Sequence, residues 1–191
     1  MRLRASLVVA LLVCAGSLGT ARAELPKTLD EMKVRHAEQG KTPEGATKLW
    51  LDACFVYMNP DTRDEGRKMI AWLTYPFHRD NLDDWDTKPA GRLLASRLQA
   101  KEYQHIFRSY AKGTSPDNQY KMDPNNWELN HVRNFQHPGD ARGIQCYLDS
   151  TGADADRPAY LKQAKDGLWY MNIYANLISD IRPPKKEGGF E

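Results

Sequence analysis

Apolar positions along this chain change their period about two thirds of the way through. From Thr42 to Tyr110 they recur at three and four residues, the spacing of one helix face; from Trp127 to Tyr174 they alternate, the spacing of a strand with one buried side. In "TPEGATKLWLDACFVYMNP", Ala46, Leu49, Trp50, Ala53, Phe55, Val56 and Tyr57 form the strongest helical stripe. Thr42 is placed to cap it, Pro43 fills its first position, and Asn59-Pro60 stops it. Upstream, "KTLDEMKVRHAEQG" predicts one or two amphipathic turns ended by Gly40. Downstream, "TRDEGRKMIAWLTY" sets Thr62 and Glu65 in capping-box register ahead of Met69, Ile70 and Leu73, with Pro76 as its end. Pro89 then restarts a helical pattern that runs through Leu93, Leu94, Leu98, Ile106, Phe107 and Tyr110 to Gly113.

The second half reads as hairpins. "WELNHVRNFQ" and "RGIQCYLDS" flank His137-Pro138-Gly139-Asp140, where proline and glycine at the two central positions specify a type II turn. After "TGADAD", "RPAYLKQAK" and "LWYMNIY" are joined by Asp166-Gly167, a tight-turn dipeptide. Four antiparallel strands in a meander carry one apolar face, and the preceding helices are the surface able to cover it. The predicted class is α+β: N-terminal helices packed on a curved four-stranded meander. This order resembles the nuclear-transport-factor-2-like and cystatin-like rolls, a likeness of architecture that implies no single activity. Residues 24–41 read as an extension or short helix, 42–184 as one α+β domain, and 185–191 as a disordered tail.

Composition matters once the N-terminus is understood. Arg2 and Arg4, the apolar run "SLVVALLVCAG" and Ala21-Arg22-Ala23 have the three parts of a secretory signal with cleavage after Ala23. The run is shorter than the ~20 residues a spanning helix needs, and Val13 before Cys14 does not fit a lipid-attachment site. The expected location is therefore outside the cytoplasm, in the periplasm, with no membrane span after cleavage. Losing Arg2, Arg4 and Arg22 takes the basic residues from 27 to 24 against 25 acidic ones, so a formal charge of +2 becomes −1. That balance removes the basic stripe on which nucleic-acid binding depends. Cys54 and Cys146 survive processing in a compartment that permits a disulfide; a bridge between them and two buried free thiols both remain open.

Three short motifs carry a resemblance to a family. Gly113-Thr114-Ser115-Pro116-Asp117-Asn118-Gln119-Tyr120 is similar to Gly-Ala-Thr-Pro-Glu-Asn-x-Tyr. Gly152-Ala153-Asp154-Ala155-Asp156-Arg157-Pro158 is similar to Gly-Ala-Asp-Ser-x-Arg-Pro, with Ala155 in place of the serine, and Ile181-Arg182-Pro183-Pro184 follows. Across roughly Thr42 to Pro184 the chain resembles an uncharacterised family of small secreted bacterial proteins, a domain of unknown function. The resemblance implies the fold and a secreted location and assigns no catalytic residue.

Candidate chemistry is sparse. No serine sits in a nucleophile elbow, and both mature cysteines lie among apolar residues rather than in the electropositive setting that makes a thiolate. His36, His78, His105, His131 and His137 show no metal-binding spacing, and neither "DDWD" nor "GADADRP" completes a calcium loop, so no metal or cofactor is implied. Tyr120, Asp154, Arg157 and Arg182 are the candidate ligand-binding residues, the two arginines because a guanidinium grips an anion with two hydrogen bonds. Structurally, Asp154 can close its own turn, and Arg157 can tie its loop to Asp154 or to loop carbonyls. Trp85, in an acidic loop with no periodic partner, is the one aromatic residue expected either at the surface as an anchor for a partner or as a lid on helix ends. The leading reading is a non-enzymatic domain for a small molecule or an envelope partner. The alternative is a cofactor-independent lyase or isomerase whose pocket is rimmed by Asp154, His131 and Tyr120. Intact-mass measurement on the native protein should find Glu24 as its first residue; a chain retaining Met1 would overturn the secretory reading.

Overall fold

A computed structural model of the protein describes residues 24–75 and 84–186; the predicted leader, Pro76, His78 and the last residues of the tail lie outside them. Five helices precede four strands: α1 (Leu29–Gln39), α2 (Pro43–Met58), α3 (Arg63–Leu73), α4 (Pro89–Gln99) and α5 (Gln104–Arg108), then β1 (His131–Phe135), β2 (Ile144–Leu148), β3 (Arg157–Gln163) and β4 (Trp169–Ile173). The class is α+β.

Helix α2 begins where local chemistry places it. The Thr42 hydroxyl accepts from the Gly45 N–H at 3.1 Å, Pro43 occupies the first turn, and the helix ends at Asn59. Of its 16 residues, 13 are buried, which makes it an enclosed helix rather than a surface one. One side of it meets the sheet. The strands pair antiparallel in the order β1-β2-β3-β4, and the registers Ile144 with Leu161, Cys146 with Ala159 and Leu161 with Met171 put these side chains on one face. Cys146, Leu148, Ala159, Leu161 and Met171 are at most 1% exposed there, so side chains fill the concave face beneath α2. Both predicted turns close, with the Asp140 N–H on the His137 carbonyl at 3.2 Å and the Gly167 N–H on the Ala164 carbonyl at 3.0 Å. The outer edge of β4 is covered as well: the Tyr75 N–H, just beyond α3, donates to the Met171 carbonyl at 2.6 Å.

Helix α1 is longer than its pattern predicts because it docks. Met32 is fully buried, and His36, 1% exposed, reaches the Trp169 carbonyl through Nε2 at 2.9 Å.

Four local expectations give way to tertiary contacts. The capping box before α3 does not form: the Thr62 hydroxyl donates to the Val56 carbonyl at 2.7 Å, and Glu65 accepts from the Leu29 N–H at 2.8 Å. The helix from Pro89 breaks at Ala100, whose ψ of 117° is extended; a 3₁₀ turn at Lys101–Tyr103 and α5 follow. That break resets the phase, so Ile106 and Phe107 face the core together with Leu94 and Leu98. The first strand starts at His131 rather than Trp127, since the Trp127 indole N–H is drawn to Asp52 at 2.8 Å. Trp85 is 0% exposed, and its indole N–H donates to the Arg67 carbonyl at 2.8 Å, so it is core and not a surface anchor.

Cys54 and Cys146 are both buried and unbridged. Burial pushes the Cys146 thiol up to about 12 and the Cys54 thiol well above its ordinary value, so both stay protonated at neutral pH.

Helices α2 and α3 approach closely through Gly66, where an added Cβ would press into the backbone of Tyr57. Gly66→Ala should therefore wedge the pair apart and cost about 1–3 kcal/mol, read as a lowered urea midpoint with the slope unchanged.

Candidate functional site

The three family-like motifs meet at one place. Asn118 folds the first of them: its Oδ1 accepts from the Ser115 N–H at 2.8 Å, and its Nδ2 donates to the Gly113 carbonyl at 2.7 Å. The loop this makes holds Gln119 and Tyr120 at φ of 58° and 54°, the left-handed region that a bulky residue enters only when its surroundings compel it. The compensation for Tyr120 is burial. Its side chain is 0% exposed, its ring lies 5.5 Å from that of His105, and its hydroxyl donates to the Arg182 carbonyl at 2.7 Å. Gly152, from the second motif, makes the room, because a Cβ there would strike the Tyr120 hydroxyl.

The remaining motif residues clamp the C-terminal segment. The Arg182 N–H donates to the Gly152 carbonyl at 2.9 Å, and the Lys185 N–H to that of Pro116 at 3.0 Å. The Arg157 guanidinium reaches the carbonyls of Asn176 and Asp180, at 3.4 and 3.1 Å, rather than its own loop. The Arg182 guanidinium pairs with Asp154, both well exposed, and Asp156 pairs with Arg133. Below them the Ser109 and Ser150 hydroxyls share a hydrogen bond of 2.7 Å, and the Tyr110 hydroxyl donates to the Leu177 carbonyl at 2.9 Å. The structure thus brings Tyr120, Asp154, Arg157 and Arg182 into one junction, where each already holds a protein partner. His131, at the start of β1, instead hydrogen-bonds Asn134 at 3.1 Å.

A second constellation lies between α2, α3 and α4. Asp86, on the 3₁₀ turn Trp85–Thr87, is carried inward by its buried neighbour Trp85, and its side chain is only 8% exposed. Its Oδ2 accepts twice, from the Tyr57 hydroxyl at 2.9 Å and from Arg67 Nε at 2.7 Å. Gln99 donates to the Tyr57 oxygen at 2.8 Å, completing a chain that fixes the carboxylate. Burial, with Asp86 adding to it, pushes the Tyr57 phenol up to about 12, so it remains a donor. Hydrogen bonding to Asp86 likewise raises Arg67, which stays a cation. Asp86 Oδ1 accepts no hydrogen bond among the described residues. Asp86 lines a cleft of about 470 Å³ with Arg92, Leu93, Ala95, Ser96 and Gln99 of α4. Sequence reading missed this site by weighing Asp86 only as part of the acidic "DDWD" run, which completes no calcium loop; the one available signal was Trp85, which buries its neighbour when it buries itself.

A third carboxylate is structural. Asp52 is 4% exposed, and burial raises its pKa against the opposing pull of Lys48, at 3.0 Å, and of the Trp127 indole N–H. Among the described residues no three His, Cys, Asp or Glu side chains gather as a metal site, and no helix is long and apolar enough to cross a membrane.

Residues 24–185 match the family described as Domain of unknown function (DUF6935), and the chain belongs to that family. No curated protein and no solved structure matches it.

The junction carries a pH signature through His105. Burial lowers the folded pKa of this imidazole below its ordinary 6.5, more strongly than the nearby carbonyls and Asp180 raise it. The unfolded chain then binds the proton more readily, so the contribution to stability is full above the unfolded pKa and is lost as pH falls through the folded one. Urea midpoints taken downward from pH 7.5 should fall for wild type and fall less for His105→Gln; parallel curves would show that His105 plays no part.

Proposed function

We propose that the protein is a secreted, periplasmic domain that binds a small molecule in the Asp86 cleft without transforming it. The observation that carries the reading is the half-used carboxylate. Two donors fix Oδ2, and Oδ1 is left to accept from something that enters the cleft. A buried acceptor held in place before binding loses little freedom when a ligand arrives. Arg92 stands at the same opening with no ion pair among the described residues, so the complementary ligand offers a hydroxyl or ammonium donor to Asp86 and an acceptor to Arg92. The cleft volume falls in the ~300–1,000 Å³ range usual for such sites.

Support for binding over lyase or isomerase chemistry comes from the groups that chemistry would use. Asp154 is exposed and paired with Arg182, and the Tyr120 hydroxyl is committed to a backbone carbonyl. Secretion is supported by the tripartite N-terminus and by a family match that starts at Glu24.

Amide NMR of the protein titrated with ethanolamine, glycine and glucose tests the reading. At least one probe should shift Arg92, Ser96 and Gln99 saturably, and Asp86→Asn and Arg92→Gln should each weaken that probe about tenfold, the effect of one charge-assisted hydrogen bond. If none of the three moves these amides, the cleft is not a binding site for this class.

A further inference from the structure

We infer that a second site, formed by Arg108 of α5 against the end of α2, takes a compact monocarboxylate with a small apolar group. Five of the ten arginines among the described residues meet a carboxylate: Arg67 with Asp86, Arg97 with Asp180, Arg133 with Asp156, Arg142 with Asp140 and Arg182 with Asp154. Arg108 is half-buried, yet among the described residues its guanidinium has no ion pair and no hydrogen bond. It lines a cavity of about 210 Å³ with Phe55, Met58, Asn59, Gln104 and Pro124.

The lining has two parts. Phe55 and Met58, 5% and 8% exposed, form with Pro124 an apolar floor. Above it stand two sets of uncommitted donors. The Asn59 Oδ1 accepts from the Asp61 N–H at 3.1 Å, which orients the carboxamide and leaves its NH₂ over; the Arg108 fork supplies the rest. Gln104 is fixed separately, its Nε2 donating to the Leu98 carbonyl at 3.1 Å. No acidic side chain lines the cavity, so its field favours an anion. A planar carboxylate satisfies the guanidinium fork with two parallel hydrogen bonds, and an alkyl or aryl group attached to it covers the floor. At ~30 Å³ for each water in liquid, the volume is that of about seven waters, enough for a ligand the size of butyrate or benzoate and too little for a long acyl chain.

Calorimetric titration of the protein with sodium butyrate tests this, with butyramide as the neutral analogue of equal shape. Butyrate should bind saturably and at least tenfold more tightly than butyramide. Arg108→Gln should abolish that difference without shifting the thermal midpoint, since the side chain has no structural partner to lose, and Arg108→Lys should retain part of it because the charge remains and the fork does not. Asp86→Asn should leave butyrate binding unchanged, which separates this site from the cleft. Equal affinity for butyrate and butyramide, absence of saturable binding by either, or wild-type discrimination in Arg108→Gln would each overturn the inference.

Discussion

The enclosure of α2 is the constraint on which the other parts depend. A helix with 13 of 16 residues buried cannot be finished by one neighbour, and here three layers complete it. The sheet covers one side through Cys146, Leu161 and Met171; α3 closes on another through Gly66; the chain after α5 returns to cover Asp52 and Phe55 with Trp127, whose ring meets that of Phe55 edge-on at 5.4 Å. Both cavities assigned to ligands depend on this helix. Tyr57 positions Asp86, and the buried Phe55 and Met58 floor the Arg108 cavity. The binding groups thus stand against residues that the core holds in place, and a ligand at either cavity meets a surface fixed from beneath.

Much of this was legible because it is local. Thr42-Pro43 caps a helix by the geometry of two residues, and Pro138-Gly139 and Asp166-Gly167 close turns within four, so these signals survive any tertiary context. The switch to a period of two located the meander for the same reason. What the pattern missed depends on partners far along the chain. Thr62 abandons its capping role for a carbonyl of the preceding helix, Trp85 finds Arg67, and the segment after Ala100 turns to reach the core. The cysteines illustrate the limit well: both point inward as expected, but periodicity specifies a face and not a partner, and the two stay unbridged.

The candidate site was half legible. The motifs containing Tyr120, Asp154, Arg157 and Arg182 do converge, and their composition made that readable; what composition withheld is the use of each group. Tyr120 donates to a carbonyl, Arg157 grips two more, and Arg182 meets Asp154. Arg92 and Arg108, which have no ion pair among the described residues, sit in ordinary helical sequence that no motif marks. An unpaired guanidinium is a property of its surroundings, and a single sequence does not display surroundings.

The C-terminal clamp has a consequence for the order in which the chain becomes a folded protein. Tyr120 in its left-handed conformation, the space at Gly152 and the Arg157 guanidinium all receive their partners from residues 176–185. Until those residues are present, the two loops have strain and open donors with nothing to compensate them. A chain that emerges N-terminus first can form its helices, which need only neighbours, yet closes this junction last. The completion of this junction, unlike that of the helices, therefore depends on the final stretch of the chain.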